Sequence, residues 1–166
     1  MPNSSAGGTS RGRKRAPRTW HALAAATDEK RDRWIQTGTR VLNHTEFVAC
    51  GIDWDAIAVR PIELGLDALV AMQLGTRRGY RVLADHLRDE LYVFVPVDHA
   101  DDFTGLPGVR VLSRGHQLLV PRTPDHSSQV ADWVGTPGET LALVDPRRLA
   151  ERLQDLAPTL YEPVAP

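Results

Sequence analysis

Two aspartates separated by one residue, Asp53 and Asp55, are the first candidates for chemistry in this sequence. Alternate side chains of a strand point to the same face, so the two carboxylates could hold one divalent metal ion together. In a competing interpretation, Asp53 lies in a turn and Asp55 begins a strand. The second interpretation is favoured because aspartate is a preferred turn residue. The pair therefore stays a candidate only for an alternative, metal-dependent function with Mg²⁺ or Mn²⁺.

The histidines and the cysteine do not form a recognisable metal site. Six histidines are scattered along the chain, and the two clusters of histidine with acid, at 85–86 and 99–102, lack a second half at metal-site spacing. Cys50 is the only cysteine, which excludes an internal disulfide bond and a cysteine-based zinc cluster. We therefore expect most histidines at the surface and predict neither a bound metal nor a cofactor.

Familiar catalytic and nucleotide-binding motifs are absent. The chain contains no G-x-x-x-x-G-K-[ST] loop, no G-x-G-x-x-G fingerprint, no H-E-x-x-H and no G-x-S-x-G elbow. Tyr92 and Phe94 alternate within an apolar run, so their rings point to one face of a strand. The rings could stack on bases. A core face is favoured, because runs without polar alternation are typical of strands covered on both sides.

The composition is that of a folded protein with one domain. The chain has 166 residues, of which 42% are hydrophobic and 25% are charged. No apolar stretch approaches the roughly 20 residues that a membrane-spanning helix needs, so we predict no membrane partner. The single cysteine fits a reducing compartment, and the predicted location is the cytoplasm.

The charges are unevenly distributed along the chain. Residues 1–18 carry five basic residues and no acidic one, whereas the rest of the chain carries 15 basic and 21 acidic residues. Because 1–18 is also rich in Ser, Gly and Pro, we predict a disordered basic tail there, one domain over 19–157 and a flexible end over 158–166. The tail could contact nucleic-acid phosphates, and a merely solvated tail is the simpler alternative. Its basic residues are Arg11, Arg13, Lys14, Arg15 and Arg18.

The hydrophobic pattern predicts an α+β fold with a mostly antiparallel sheet and flanking helices. Ile62, Leu66 and Leu69 have helical spacing, and Asp145-Pro146 has the sequence of a capped helix start. The predicted helices cover 20–37 (as one helix or as two short ones), 62 to about 75, and 146 onward, with a helical turn at 98–103. The predicted strands cover 82–84, 91–95, 133–134 and 141–144, in addition to two hairpins.

The two hairpins are predicted from short turn sequences between apolar segments. The first joins strands at 47–50 and 54–59 across Gly51-Ile52-Asp53, and the second joins strands at 109–112 and 117–120. If these predictions hold, each pair of consecutive strands is hydrogen-bonded within one sheet.

Three stretches, taken in their order and spacing, carry a resemblance to a known family. They are Ile57-Ala58-Val59-Arg60-Pro61 with Glu63, Gly65 and Leu69; Glu90 to Phe94; and Val109 to Thr123, with Trp133 after the following loop. From Trp54 to about residue 153 the chain thereby resembles small actinobacterial proteins classed with the N-terminal domains of bifunctional DNA primase/polymerases, which act in DNA replication. The resemblance implies a reduced version of the archaeo-eukaryotic primase core.

The same resemblance places the family's metal-binding acids on residues that do not bind metals. The family's Asp-x-Asp motif falls at Ala58 and Arg60. Its histidine falls near Glu90 and its third acid at Arg110. Polymerase chemistry needs carboxylates to hold divalent ions, whereas a guanidinium stays protonated and repels them. The resemblance thus implies a degenerate active site, and no catalytic residue is expected there.

A binding surface is what the resemblance leaves around the former cleft. Arginines that replace acids could attract the phosphates of a nucleotide or nucleic acid. Alternatively, Arg60 and Arg110 pair with nearby acids such as Glu63, Asp85 or Glu90. The candidate ligand-contacting residues are Arg60, Glu90, Tyr92, Arg110, Arg114 and His116.

The predicted function is therefore a non-catalytic primase/polymerase-like domain that binds a nucleotide, a nucleic acid or a protein partner. One alternative is a metal-dependent primase/polymerase-type enzyme that uses Asp53 and Asp55. Another is a module that only binds other proteins, through the acidic body of the domain. The resemblance favours the non-catalytic interpretation, because the family's acids and histidine are all replaced.

Overall fold

The computed structural model describes residues 18–37, 45–122, 131–135, 137–138 and 141–161. The predicted tail lies outside these ranges except for Arg18, and so do residues 162–166. The elements are α1 (Trp20–Thr37), β1 (Thr45–Ala49), β2 (Asp55–Val59), α2 (Ile62–Ala71), β3 (Val82–Asp85), β4 (Glu90–Val95), a 3₁₀ helix (Ala100–Phe103), β5 (Val109–Leu112), β6 (Gln117–Pro121), β7 (Asp132–Trp133) and α3 (Pro146–Tyr161). The predicted α+β class, with antiparallel strands and flanking helices, is confirmed.

The five-stranded sheet is built around the most apolar segment of the chain. Its strand order is β5-β2-β4-β3-β7, and all neighbouring strands are antiparallel. Every residue of β2, β3 and β4 is buried. The prediction that 91–95 is a strand covered on both faces is therefore confirmed.

Helices α1 and α3 begin where the sequence provides a side-chain cap. The Thr19 hydroxyl oxygen accepts a hydrogen bond from the Ala22 N–H, and the Asp145 carboxylate accepts one from the Arg148 N–H. Thr27 does not divide α1 into two helices, because its hydroxyl donates to the Ala24 carbonyl inside one continuous helix. None of the helices in the described ranges is both long and apolar enough to cross a membrane.

The two predicted hairpins are wrong, although their strands are present. β1 pairs with β6 in a separate two-stranded sheet, whereas β2 and β5 pair within the five-stranded sheet. Each supposed hairpin is instead one bent segment, with one of its strands in the two-stranded sheet and the other in the five-stranded sheet. The segments are antiparallel partners along their length, with Ala49 opposite Gln117 and Ala56 opposite Leu112. We call the β1–β6 pair the ribbon.

Backbone contact at the bend explains why the turn sequences do not close hairpins. Gly51 has φ +82, and a Cβ on it would lie 2.4 Å from the backbone nitrogen of Arg114. The two turns therefore pack directly on each other, and the Cys50 N–H donates to the His116 carbonyl across them at 2.9 Å. A residue with a side chain at position 51 would prevent this approach.

The last predicted strand, 141–144, is also largely wrong. The structure shows only an isolated parallel bridge there, between Ala142 and Tyr80. The strand predicted at 133–134 is found at Asp132–Trp133, on the edge of the sheet. Helix α3 continues to Tyr161, beyond residue 157, where the sequence predicts the end of the domain.

The two faces of the five-stranded sheet carry two separate cores. Side chains from α1, α2 and α3 pack on one face, against residues such as Ile57, Leu91 and Val93. The ribbon packs on the other face, where Trp54 stacks on Phe94 with ring centroids 4.2 Å apart. The helices thus cover one side of the sheet, and the other side is left to the ribbon and to a group of charged residues.

Candidate functional site

Three neighbouring strands bring Arg60, Glu90 and Arg110 to one face of the sheet. Ala58 of β2 lies opposite both Arg110 of β5 and Tyr92 of β4. Arg60 directly follows β2 and Glu90 begins β4, so these residues share the face of their neighbours two positions away. The predicted placement on neighbouring strands is confirmed for Glu90 and Arg110, and Arg60 lies one residue beyond the end of β2, between them.

The Glu90 carboxylate is the centre of this cluster. Arg110 Nη2 donates to both of its oxygens, at 3.1 and 2.9 Å, and Arg60 Nη2 lies 3.7 Å from Oε1. The Tyr92 hydroxyl donates to Oε2 at 2.8 Å. The alternative in which the arginines pair with a local acid is therefore confirmed for Glu90. We call Arg60, Glu90, Tyr92 and Arg110 the Arg–Glu cluster.

Burial differs sharply between the acid and the bases of this cluster. The Glu90 side chain is 7% exposed, whereas those of Arg60 and Arg110 are 56% and 58% exposed. One buried carboxylate therefore orients two guanidinium groups toward solvent, and positive charge is in excess. Ala58 is buried and lies between Arg110 and Tyr92 in the strand register. Because its side chain is small, Arg110 can reach across β2 to Glu90.

A second buried acid at the same end of the sheet strengthens this arrangement. Asp85 lies opposite Glu90 in the β3–β4 register, and its carboxylate accepts hydrogen bonds from the N–H groups of Leu87 and Arg88. The Arg88 side chain, 63% exposed, lies 4.0 Å from the same carboxylate. Three exposed guanidinium groups thus surround two buried carboxylates on one face.

Tyr92 belongs to the core and to the cluster at once. Burial, followed by its hydrogen bond to Glu90, raises the pKa of the Tyr92 hydroxyl to about 12. Tyr92 and Phe94 are both buried, so the interpretation of their rings as a core face is confirmed and an open stacking platform is excluded at these two positions.

Arg114 and His116 are not part of this cluster. Both are exposed in the turn between β5 and β6, where the His116 imidazole lies 3.2 Å from the Ser113 carbonyl oxygen. Their sequence proximity to Arg110 is misleading, because the bend at Gly51 and Arg114 carries the chain out of the five-stranded sheet before it reaches them.

Asp53 and Asp55 occupy different environments. Asp53 is exposed in the bend before β2, whereas Asp55 is the buried first residue of that strand. Burial raises the pKa of the Asp55 carboxyl, although a hydrogen bond from the backbone of Asp98 opposes the shift. The pair does not belong to any group of three potential metal ligands in the described ranges.

The three-ligand group that the described residues do form was missed by the sequence reasoning. His21 of α1 lies 2.9 Å from an Asp67 oxygen and 3.3 Å from a Glu63 oxygen, both on α2. Two acids four residues apart on a predicted helix were the available signal. The histidine could not be assigned to them, because it comes from a helix far away in the sequence.

Comparison with known proteins does not add an identity. No family model, no curated protein and no solved structure matches this chain. Only the residues of the chain and their contacts therefore provide evidence for its function.

Proposed function

We propose that this chain is a non-catalytic domain of the primase/polymerase type that binds phosphate groups of a nucleotide or nucleic acid through the Arg–Glu cluster. The observation that carries this proposal is the convergence of two half-exposed guanidinium groups on one buried carboxylate. Arg88 adds a third guanidinium on the same face.

The cluster has the form of a preorganised anion site. Glu90 restricts Arg60 and Arg110 to one region, so less side-chain entropy is lost when a phosphate binds. Each guanidinium has five N–H donors, of which the contacts to Glu90 use only part. Because both side chains are more than half exposed, they can reach a ligand without opening the core.

The same cluster argues against polymerase chemistry at this position. A polymerase uses acidic side chains to hold two divalent cations, and the cations lie about 3.5–4 Å from each other. Here the positions that the resemblance assigns to the acids are Ala58, Arg60 and Arg110. The two buried carboxylates on this face already have partners: Glu90 contacts two arginines and a tyrosine, and Asp85 accepts hydrogen bonds from the N–H groups of Leu87 and Arg88. We therefore expect no primer extension or de novo priming with Mg²⁺ or Mn²⁺.

The test compares binding of a labelled single-stranded oligonucleotide by fluorescence anisotropy in matched variants of the full chain, with a nucleoside triphosphate as competitor. We expect the double variant R60Q/R110Q to bind about tenfold more weakly. The slope of the logarithm of its binding constant against the logarithm of salt concentration should become less negative by about 1–1.5, because two phosphate contacts are lost.

A matched control is provided by R77Q/R78Q, which removes the same charge from a different surface. Arg77 and Arg78 line a cleft of about 760 Å³ beside Trp20 and Leu74 on the helix side. An equal loss in both double variants would show that the Arg–Glu cluster is not the binding site. Nucleotide incorporation that is lost in Asp53→Ala or Asp55→Ala would instead favour the enzyme.

A further inference from the structure

We propose that His21, Glu63 and Asp67 form a binding site for a divalent transition-metal ion of the Zn²⁺ type that joins α1 to α2. His21 lies in the first turn of α1, and the two carboxylates lie one turn apart on α2. The site is independent of the Arg–Glu cluster, because α1 and α2 cover the opposite face of the sheet.

The donor atoms are already spaced for a shared ion. One potential ligand atom from each residue lies within 4.8 Å of the other two. His21 Nε2 is 3.3 Å from Glu63 Oε1 and 2.9 Å from Asp67 Oδ1. In a tetrahedral zinc site with bonds of about 2.0–2.1 Å, neighbouring ligand atoms are separated by about 3.4 Å. The two distances from His21 Nε2 therefore lie within about half an ångström of this separation.

Electrostatics favours a cation at this point. Glu63 and Asp67 are like charges at the i, i+4 spacing, an arrangement that destabilises an isolated helix. A dication between them removes this repulsion and leaves the imidazole neutral. The side chains of His21, Glu63 and Asp67 are 36%, 62% and 43% exposed, so the ion can enter from solvent and water can complete its coordination.

The chemistry of the donors selects the class of ion. Imidazole suits Zn²⁺, Ni²⁺ or Co²⁺, whereas Mg²⁺ and Ca²⁺ prefer sites composed only of oxygen atoms. Three protein ligands leave a fourth position for water, which is the coordination of an open zinc site. The ion would fix the first turn of α1, and with it the point where residues 1–18 join the domain.

The test is isothermal titration of the metal-free full chain with Zn²⁺, together with the visible spectrum of the Co²⁺ form. We expect one Zn²⁺ per chain, a rise in thermal unfolding temperature, and intense Co²⁺ absorption typical of four-coordination. His21→Gln and the double variant E63Q/D67N should each lose at least about tenfold in affinity.

The chain also offers a matched control, the His99–Asp102 pair. His99 Nδ1 lies 3.2 Å from an Asp102 oxygen in the same kind of contact, but no third ligand completes this pair in the described ranges. His99→Gln should therefore bind Zn²⁺ as the parent does. Absence of stoichiometric Zn²⁺ binding, or unchanged binding in His21→Gln, would overturn the proposal and leave His21 as a polar contact between α1 and the two acids of α2.

Discussion

The two faces of β4 differ in chemistry although they belong to the same strand and are buried to the same extent. Leu91, Val93 and Val95 point to the helices, and their face of the strand is wholly apolar. Glu90, Tyr92 and Phe94 point to the other face, where Glu90 binds arginines and the Tyr92 hydroxyl, and Phe94 stacks on Trp54. Strand alternation therefore separates a structural face from a polar one within six residues.

The covering layers explain this difference. Three helices supply enough apolar side chains to cover the first face, including that of Leu69, which is fully buried. Within the described ranges, the second face is covered mainly by the two-stranded ribbon, whose Leu118 and Val120 pack with Trp54 and Phe94. At the other end of that face, exposed guanidinium groups complete the surface. An exposed, charged surface is thus found where the described residues provide less apolar cover.

The largest expected effect sharpens this comparison with two adjacent residues. Leu91→Ala should lower the free energy of unfolding by about 2–5 kcal/mol, because it leaves a cavity beneath the helices. Tyr92→Phe, one residue along, should cost less, about 1.5–3 kcal/mol, since it keeps the ring and removes a hydrogen bond to a charged carboxylate. Urea unfolding curves measure both. Equal costs would show that the two faces do not differ in the way described.

An intermediate effect is expected at the bend that places the ribbon over the second face. Gly51→Ala should cost about 1–3 kcal/mol, because position 51 has φ +82 and the added Cβ meets the Arg114 backbone. Gly115→Ala is the matched control, since Gly115 has φ +93 but no atom within 4 Å of an added Cβ. The thermal unfolding temperature of Gly51→Ala should be lower than that of Gly115→Ala. The reverse order would remove the bend from the account of how the second face is covered.

The smallest effect under ordinary conditions is a pH dependence confined to alkaline solution. The pKa of Tyr92 is raised from 10.0 to about 12, so the folded chain retains a proton that the unfolded chain loses. The resulting stabilisation is fully present below pH 10 and is lost as the pH rises through about 12. Absorbance titration of tyrosinate should show Tyr92 among the last of the three tyrosines to ionise. Subtracting the titration curve of Tyr92→Phe from that of the parent isolates the contribution of Tyr92. Ionisation of Tyr92 near pH 10 would contradict its burial against Glu90.

Prediction from the sequence succeeded for local elements and failed for their partners. The apolar run at 91–95 and the capped start of α3 depend on neighbouring residues, and both are found in the structure. The pairing of β1 with β6 depends on residues about seventy positions apart in the sequence and on contact between two turns. No local pattern around Gly51 distinguishes a hairpin turn from this bend.

The candidate sites show the same division. Register in the resemblance was sufficient to place Arg60, Glu90 and Arg110 on adjacent strands, and the structure agrees. It was not sufficient to exclude Arg114 and His116, because only the bend carries them out of the sheet. The approach of His21 to α2 could not be predicted either, since it depends on how α1 packs.

The fold class, most of the elements and the presence of arginines at positions 60 and 110 could be predicted from the sequence alone. These features follow from hydrophobic periodicity and residue type, which act over a few positions. Three features are determined by the packing of the elements: one buried carboxylate orients both arginines, the ribbon leaves the main sheet, and His21 contacts two acids. Each of these depends on distances between residues remote in sequence, which are fixed only when the elements pack together.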